Sequence, residues 1–328
     1  MAPVAEERPQ RTGLGVATIL ITVFAMAFGD ALVKAVSADF SLWQIYVLRS
    51  AFAIPLLVLL VRGAVRARAP GWIALRSLFL MLMWLAFYGA LPLIDLAVVA
   101  AAYYSGPLFI TLLSALLIGE PVGPRRWCAV LLGFGGVLVI LRPDGDAFSP
   151  VALLPVLSGL FYALAAVVTR AKCHQEKPLV LSLWLNLGFL LFGLLGSAAV
   201  ALLAPDPAAP FFLGPWTAMD ARDWAVIAGL GLLIVFIGAG TAKAYQCGPP
   251  AVIAAFDYAY LPFAVAWGAL LFAERPDALT LLGMALIAGG GLLSLWARPP
   301  ESRPDRPRPS RPALRPWRRR SPPPAWPS

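Results

Sequence analysis

Ten apolar stretches, each about as long as the 20-residue helix needed to cross a hydrocarbon core, follow one another along this 328-residue chain. They read Leu14–Lys34, Leu42–Val61, Trp72–Leu91, Leu96–Ile118, Trp127–Leu141, Val151–Thr169, Leu179–Leu203, Trp224–Tyr245, Ala251–Ala273 and Leu279–Trp296. Turn chemistry divides them. Arg68-Ala69-Pro70-Gly71 parts spans 2 and 3, Gly119-Glu120-Pro121 closes span 4, Arg142-Pro143-Asp144-Gly145 closes span 5, and Gly248-Pro249-Pro250 parts spans 8 and 9. Between spans 3 and 4 only Pro92 and Asp95 interrupt the run. With 60% apolar and 13% charged residues, a soluble fold of this length cannot hide its apolar surface. A soluble enzyme and a disordered chain are both excluded, and the expected fold class is an all-α membrane protein with ten transmembrane helices. Span 1 is too long for the apolar core of a signal peptide and lacks an Ala-x-Ala-like site, so it is expected to remain a membrane helix.

The net charge of +9 is a property of one end. Residues 298–328 hold nine Arg against Glu301 and Asp305, a net +7, together with 11 Pro. Such a segment buries no core and is expected to be a disordered tail that lies free or contacts anionic lipid headgroups; no nucleic-acid partner follows from it. Lys and Arg in the loops give an orientation. The side holding both termini collects 19 of them, from Arg8 and Arg11 through Arg62, Arg66, Arg68, Arg125, Arg126, Arg170, Lys172 and Lys177 to the tail. The other side collects four, Lys34, Arg142, Arg222 and Arg275. Both termini are therefore expected in the cytoplasm of a multi-pass inner-membrane protein. That places Cys128, Cys173 and Cys247 near the reducing face. One Cys173–His174 pair offers too few ligands for zinc, and there is no GxxxxGK[ST] loop and no HExxH. No metal, cofactor or ATP-driven step is expected.

Spans 4 and 9 align at an offset of 154 residues: AVVAAAYYSGPLFITLLSALLIGE (97–120) against AVIAAFDYAYLPFAVAWGALLFAE (251–274), with ten identities in 24 positions. Tyr104 falls on Tyr258, Phe109 on Phe263 and Glu120 on Glu274, and the same offset sets Gly135-Gly136 on Gly289-Gly290. The halves are then spans 1–5 and 6–10, residues 14–144 and 145–297, flanked by an N-terminal segment (1–13) and the tail (298–328). Five spans is an odd number, so the second copy starts on the opposite side and the repeats are inverted. Inverted repeats build inward- and outward-open states around one midplane site, the logic of secondary transporters.

Two copies of a span ending in Gly/Ala-Glu, each followed by a Gly-rich span (LLIGE with GFGGVLVILRP, LLFAE with ALIAGGGLLSL), resemble the EamA-like branch of the drug/metabolite transporter superfamily over all ten spans. FGDALVK, LWQIYVLRS and AAFDYAYL look like a subgroup that includes S-adenosylmethionine carriers. The resemblance implies a central cavity lined by spans 1–4 and 6–9, with 5 and 10 peripheral.

Ionisable groups inside spans are costly, at least about 2.5 kcal/mol each near the helix centre, so each calls for a partner or a task. Asp30 and Lys34 sit one turn apart near the end of span 1, and Arg49 lies at similar depth in span 2. They read either as an ion pair pinning two helices or as groups lining the outer mouth, in gating or recognition. Lys243 in span 8 and Asp257 in span 9 form a second candidate pair, with Asp257 alternatively contacting substrate or exchanging a proton. Tyr103-Tyr104 and Asp257-Tyr258-Tyr260 occupy equivalent places, followed by Gly106-Pro107 and Pro262, which bend both helices. Tyrosines there suit a cavity for a flat organic group, or plain packing with bonded hydroxyls. Trp84, Tyr88, Trp184, Asn186 and Trp267 are further candidates, more in keeping with core packing. Arg76, one turn into span 3, snorkels; Glu120 and Glu274 cap span ends. The Gly clusters of spans 5 and 10 favour close helix contact, within the chain or between two copies in a homodimer. The resulting expectation is a secondary carrier of a small organic molecule, set against a channel or facilitator and, more distantly, an intramembrane enzyme.

Overall fold

The computed structural model describes residues 12–61, 67–118, 123–142, 149–173, 175–203, 210–247 and 250–296. Arg62, Arg66, Glu120, His174, the start of the span 7–8 loop, residues 1–11 and the basic tail lie outside them.

Among the described residues all regular structure is helical. The helices are α1 (Thr12–Val36), α2 (Leu42–Val61), α3 (Pro70–Ala90), α4 (Leu96–Tyr103), α5 (Gly106–Leu113), α6 (Pro124–Leu141), α7 (Leu153–Lys172), α8 (Pro178–Leu203), α9 (Pro210–Leu213), α10 (Ala221–Cys247), α11 (Pro250–Asp257), α12 (Tyr260–Phe272) and α13 (Ala278–Trp296). Seven stretches are long and apolar enough to cross a membrane, with Leu96–Leu117 as one of them. Three shorter apolar helices, Trp127–Leu141, Tyr260–Phe272 and Ala278–Leu293, fall in spans 5, 9 and 10. Proline opens α3, α6 and α8, where its missing N–H has no helical partner to lose.

Hydrocarbon as solvent lets large apolar side chains face outward around an apolar core that also holds a few polar groups. Leu59, Leu131, Leu202 and Leu270 are 69–85% exposed, whereas Asp30, Gln44, Arg49 and Asn186 are at most 4% exposed. Helix α1 packs on α10, α11 and α12; α2 on α8 and α10; α3 on α7 and α8; α7 also on α4 and α5; α4 on α12; and α6 on α13. The α6–α13 contact explains part of the Gly clusters. A Cβ on Gly136 would stand 2.6 Å from the Gly283 carbonyl oxygen, and one on Gly290 would stand 2.7 Å from that of Ala129. These faces are occupied within the chain, while Gly135 and Gly289 look onto open space.

The connections gather on two faces. On the one where α1 ends, the Trp43 indole donates to Phe212 O, and the Gln44 amide both donates to and accepts from the Thr217 backbone (2.9 and 3.1 Å). Asp277 accepts the N–H of Thr280 and so caps α13, and it also pairs with Arg142. That guanidinium, followed by the Thr280 bonds, holds the Asp277 carboxyl well below the usual carboxylate range. On the opposite face Glu176 accepts the backbone N–H groups of Arg68 and Ala69 at the start of α3, at 2.8 and 2.9 Å. Arg76 is drawn to α7, donating to Thr169 Oγ1 at 2.8 Å, rather than extending to solvent.

Candidate functional site

Two spans are broken in the middle, at equivalent places. Span 4 turns at Tyr104-Ser105 between α4 and α5, and span 9 turns at Tyr258-Ala259 between α11 and α12. Pro107 cannot donate to the Tyr103 carbonyl, and Pro262 sits in the first turn of α12, where its missing N–H costs nothing. Helix α7 comes up against the first break at Gly159, where a Cβ would lie 2.9 Å from both Tyr103 O and Ser105 Oγ.

The breaks face each other. Tyr104 donates its hydroxyl to the Asp257 carbonyl (3.1 Å), stacks on Tyr260 (centroids 5.3 Å, planes 21° apart) and meets Tyr258 at 5.3 Å. Tyr103 packs on Phe87, Tyr104 and Tyr162. Tyr104, Tyr258 and Tyr260 are buried against one another. At the crossing between the two breaks the Tyr104 ring packs face to face with Tyr260 and at an angle on Tyr258.

From Tyr260 the contacts run into the charged pair that sequence reading kept apart from the tyrosines. Tyr260 donates to Asp30 Oδ2 at 2.6 Å, Tyr88 to Asp30 Oδ1 at 3.5 Å, and Arg49 Nη1 to the Tyr88 hydroxyl at 3.3 Å. Asp30 and Arg49 thus belong to one cluster but are joined through Tyr88, not as a direct ion pair. A cavity of about 50 Å³ opens beside them, bounded by Asp30, Arg49, Trp84, Tyr88 and the α10 residues Leu230 and Leu233. Both halves of the chain line it.

Two other pairings differ from expectation. Lys34 turns away from Asp30 to Glu274, at 2.5 Å, and donates to Ile94 O at 2.7 Å. Glu274 also accepts the Leu96 N–H at 2.9 Å, the first helical N–H of α4, so it does serve as a cap. Lys243 is exposed on α10, and among the described residues no ion pair joins it to Asp257. Asp257 ends α11 at the break and meets Tyr104 through its backbone. Trp267 packs on Phe24 and Phe28, and Asn186 donates to Ser182 O within its own helix, both core arrangements. Sequence reading missed Tyr46, whose ring lies 5.5 Å from the Arg49 guanidinium. The signal was present, since the two are three residues apart on one helix and share a face.

Long apolar helices around a buried cluster of Asp30, Arg49 and tyrosines define a multi-pass membrane protein. Residues 13–142 match the EamA-like transporter family. The riboflavin transporter of Rhizobium johnstonii is 32% identical over 78% of this chain and 80% of its own length. The pseudopaline exporter CntI of Pseudomonas aeruginosa is 26% identical over 83% of this chain and 93% of its own. The S-adenosylmethionine uptake transporter of Rickettsia bellii is 21% identical over 87% and 94%. One protein of known crystal structure shares the fold, with a TM-score of 0.57 and 20% identity over 87% of this chain and 96% of its own. The chain belongs to the EamA-like transporter family, a family of transporters and not of enzymes.

Proposed function

We propose that this chain is a secondary transporter that moves a small organic metabolite with a flat ring across the bacterial inner membrane by alternating access. The observation that carries the reading is the meeting of two broken helices at Tyr104-Ser105 and Tyr258-Ala259, one from each half. Broken helices at membrane depth are tolerated where they line a site, and secondary carriers bind there. The packing supports an inverted repeat of residues 14–144 and 145–297. Exchanging each span with the one five places on turns α3–α7 into α1–α10, α5–α7 into α1–α12 and α2–α10 into α3–α8. It also returns α2–α8 and α6–α13 to themselves. The relatives named for riboflavin and S-adenosylmethionine carry ring-bearing solutes, in keeping with a tyrosine-lined crossing. Tyr103, Tyr104, Asp257, Tyr258 and Tyr260 form the substrate side of the site, and Asp30 and Arg49 its charged end. Lys34 acts as a latch with Glu274. Both termini face the cytoplasm, as the loop charges require. A homodimer through α6 or α13 would have Gly135 and Gly289 as its points of close approach.

The test is counterflow. Full-length protein in liposomes preloaded with unlabelled riboflavin or S-adenosylmethionine should take up the labelled solute saturably, and faster than unloaded vesicles. Flux that rises linearly with concentration and ignores the preload would mark a channel and overturn the carrier reading.

A further inference from the structure

Arg49 is 2% exposed, yet among the described residues its Nε and Nη2 donate to nothing. Only Nη1 is used, by the long bond to Tyr88. Leaving buried donors of a charged group unpaired is expensive, more so in hydrocarbon than in water. The rest of the guanidinium is held by rings: Phe189 at 4.9 Å, Tyr46 at 5.5 Å and Tyr88 at 6.0 Å from its carbon. Aromatic faces satisfy the charge without occupying the N–H edge. They also fix the plane of the fork, so the edge is presented in one orientation. The same residue borders the 50 Å³ cavity, which has room for a small group.

We propose that the Nε–Nη2 edge of Arg49 is a recognition site for an acidic group of the substrate, a carboxylate or phosphate bound by two parallel hydrogen bonds. The inference rests on the reading of this cluster as the substrate site and adds the substrate class: an organic anion, with its acidic head in this cavity and its ring among the tyrosines. Asp30 is two steps away through Tyr88 and offsets part of the guanidinium charge. Lysine cannot replace Arg49, because an ammonium lacks the planar fork that matches two oxygens.

The probes are the smallest members of the class, acetate and inorganic phosphate, against neutral acetamide, at constant ionic strength. Purified full-length protein in detergent should show a saturable rise in unfolding temperature with acetate or phosphate and none with acetamide, since a ligand of the folded state stabilises it by mass action. Whichever anion acts at lower concentration identifies the head group. Arg49→Lys should weaken that response at least about tenfold, the equivalent of one lost charge-assisted hydrogen bond. Equal responses to acetate and acetamide in the unmodified protein would overturn the proposal, whether or not the variant folds. An undiminished response in Arg49→Lys would overturn it as well. Counterflow failing for every solute would sink the transporter reading while leaving the anion response intact, so the two failures are distinguishable.

Discussion

Tyr104 and Tyr258 occupy the same place in two copies of one motif, but their hydroxyls are used differently. Tyr104 donates to the Asp257 carbonyl; Tyr258 lies against Gly291 on α13, and its hydroxyl has no partner among the described residues. Replacing Tyr104 by Phe removes one hydrogen bond, about 1 kcal/mol, and should raise the apparent KM by about fivefold. Replacing Tyr258 by Phe removes a buried group with no bond to lose and should leave KM and folding unchanged. Tyr→Ala at either position also deletes a stacked ring, and should cost at least about tenfold in rate per molecule at matched protein level. Equal loss in the two Phe variants, read by transport assay, would show that both hydroxyls meet the substrate.

At the scale of elements, three helices are fastened at one face by a single carboxylate. Glu274 follows α12, pairs with Lys34 of α1 and caps α4 through Leu96, so it bridges both halves of the chain. Its placement depends on a left-handed turn at Ala273 (φ 55°) and on Gly268, where a Cβ would stand 2.5 Å from Glu274 Oε2. Lys34→Met and Glu274→Gln should each lower the unfolding temperature, and the double variant should fall short of the sum by at least about 1 kcal/mol. Additive losses would show that the two side chains act independently. The spans were readable because lipid imposes a length and a composition on each helix, and Pro107 and Pro262 marked both breaks. Side-chain partners were not readable in the same way. Lys34 has Asp30 one turn away in sequence and Glu274 across the molecule, and only the packing of α1 on α12 decides between them. A short connection makes Lys243 and Asp257 candidate partners, but it fixes which helices are adjacent and not how each is rotated.

For the whole molecule, the loop charges predict an orientation that labelling can check. Cys173 is buried and cannot report, so exposed positions serve better in a background without native cysteines. Cysteine at Ala218 should react with an impermeant thiol reagent on intact cells, and cysteine at Gln175 should react only after lysis. The opposite pattern would invert the molecule in the membrane. The proposed internal repeat rests on one offset shared by a Tyr, a Phe, a Glu and a double Gly. The linkage of Asp30 to the tyrosine crossing was not, because it joins residues 230 positions apart in the chain.

The stacked tyrosines also bear on how the protein holds back water and protons. A bacterial inner membrane stores energy as a voltage and a proton gradient, and a continuous file of water through any one protein would dissipate both. Rings packed at the crossing, with the Tyr104 and Tyr260 hydroxyls bonded to the Asp257 carbonyl and to Asp30, stand in the way of such a file. On the proposed reading, the aromatic layer that would receive the solute also serves as insulation between the two sides of the membrane.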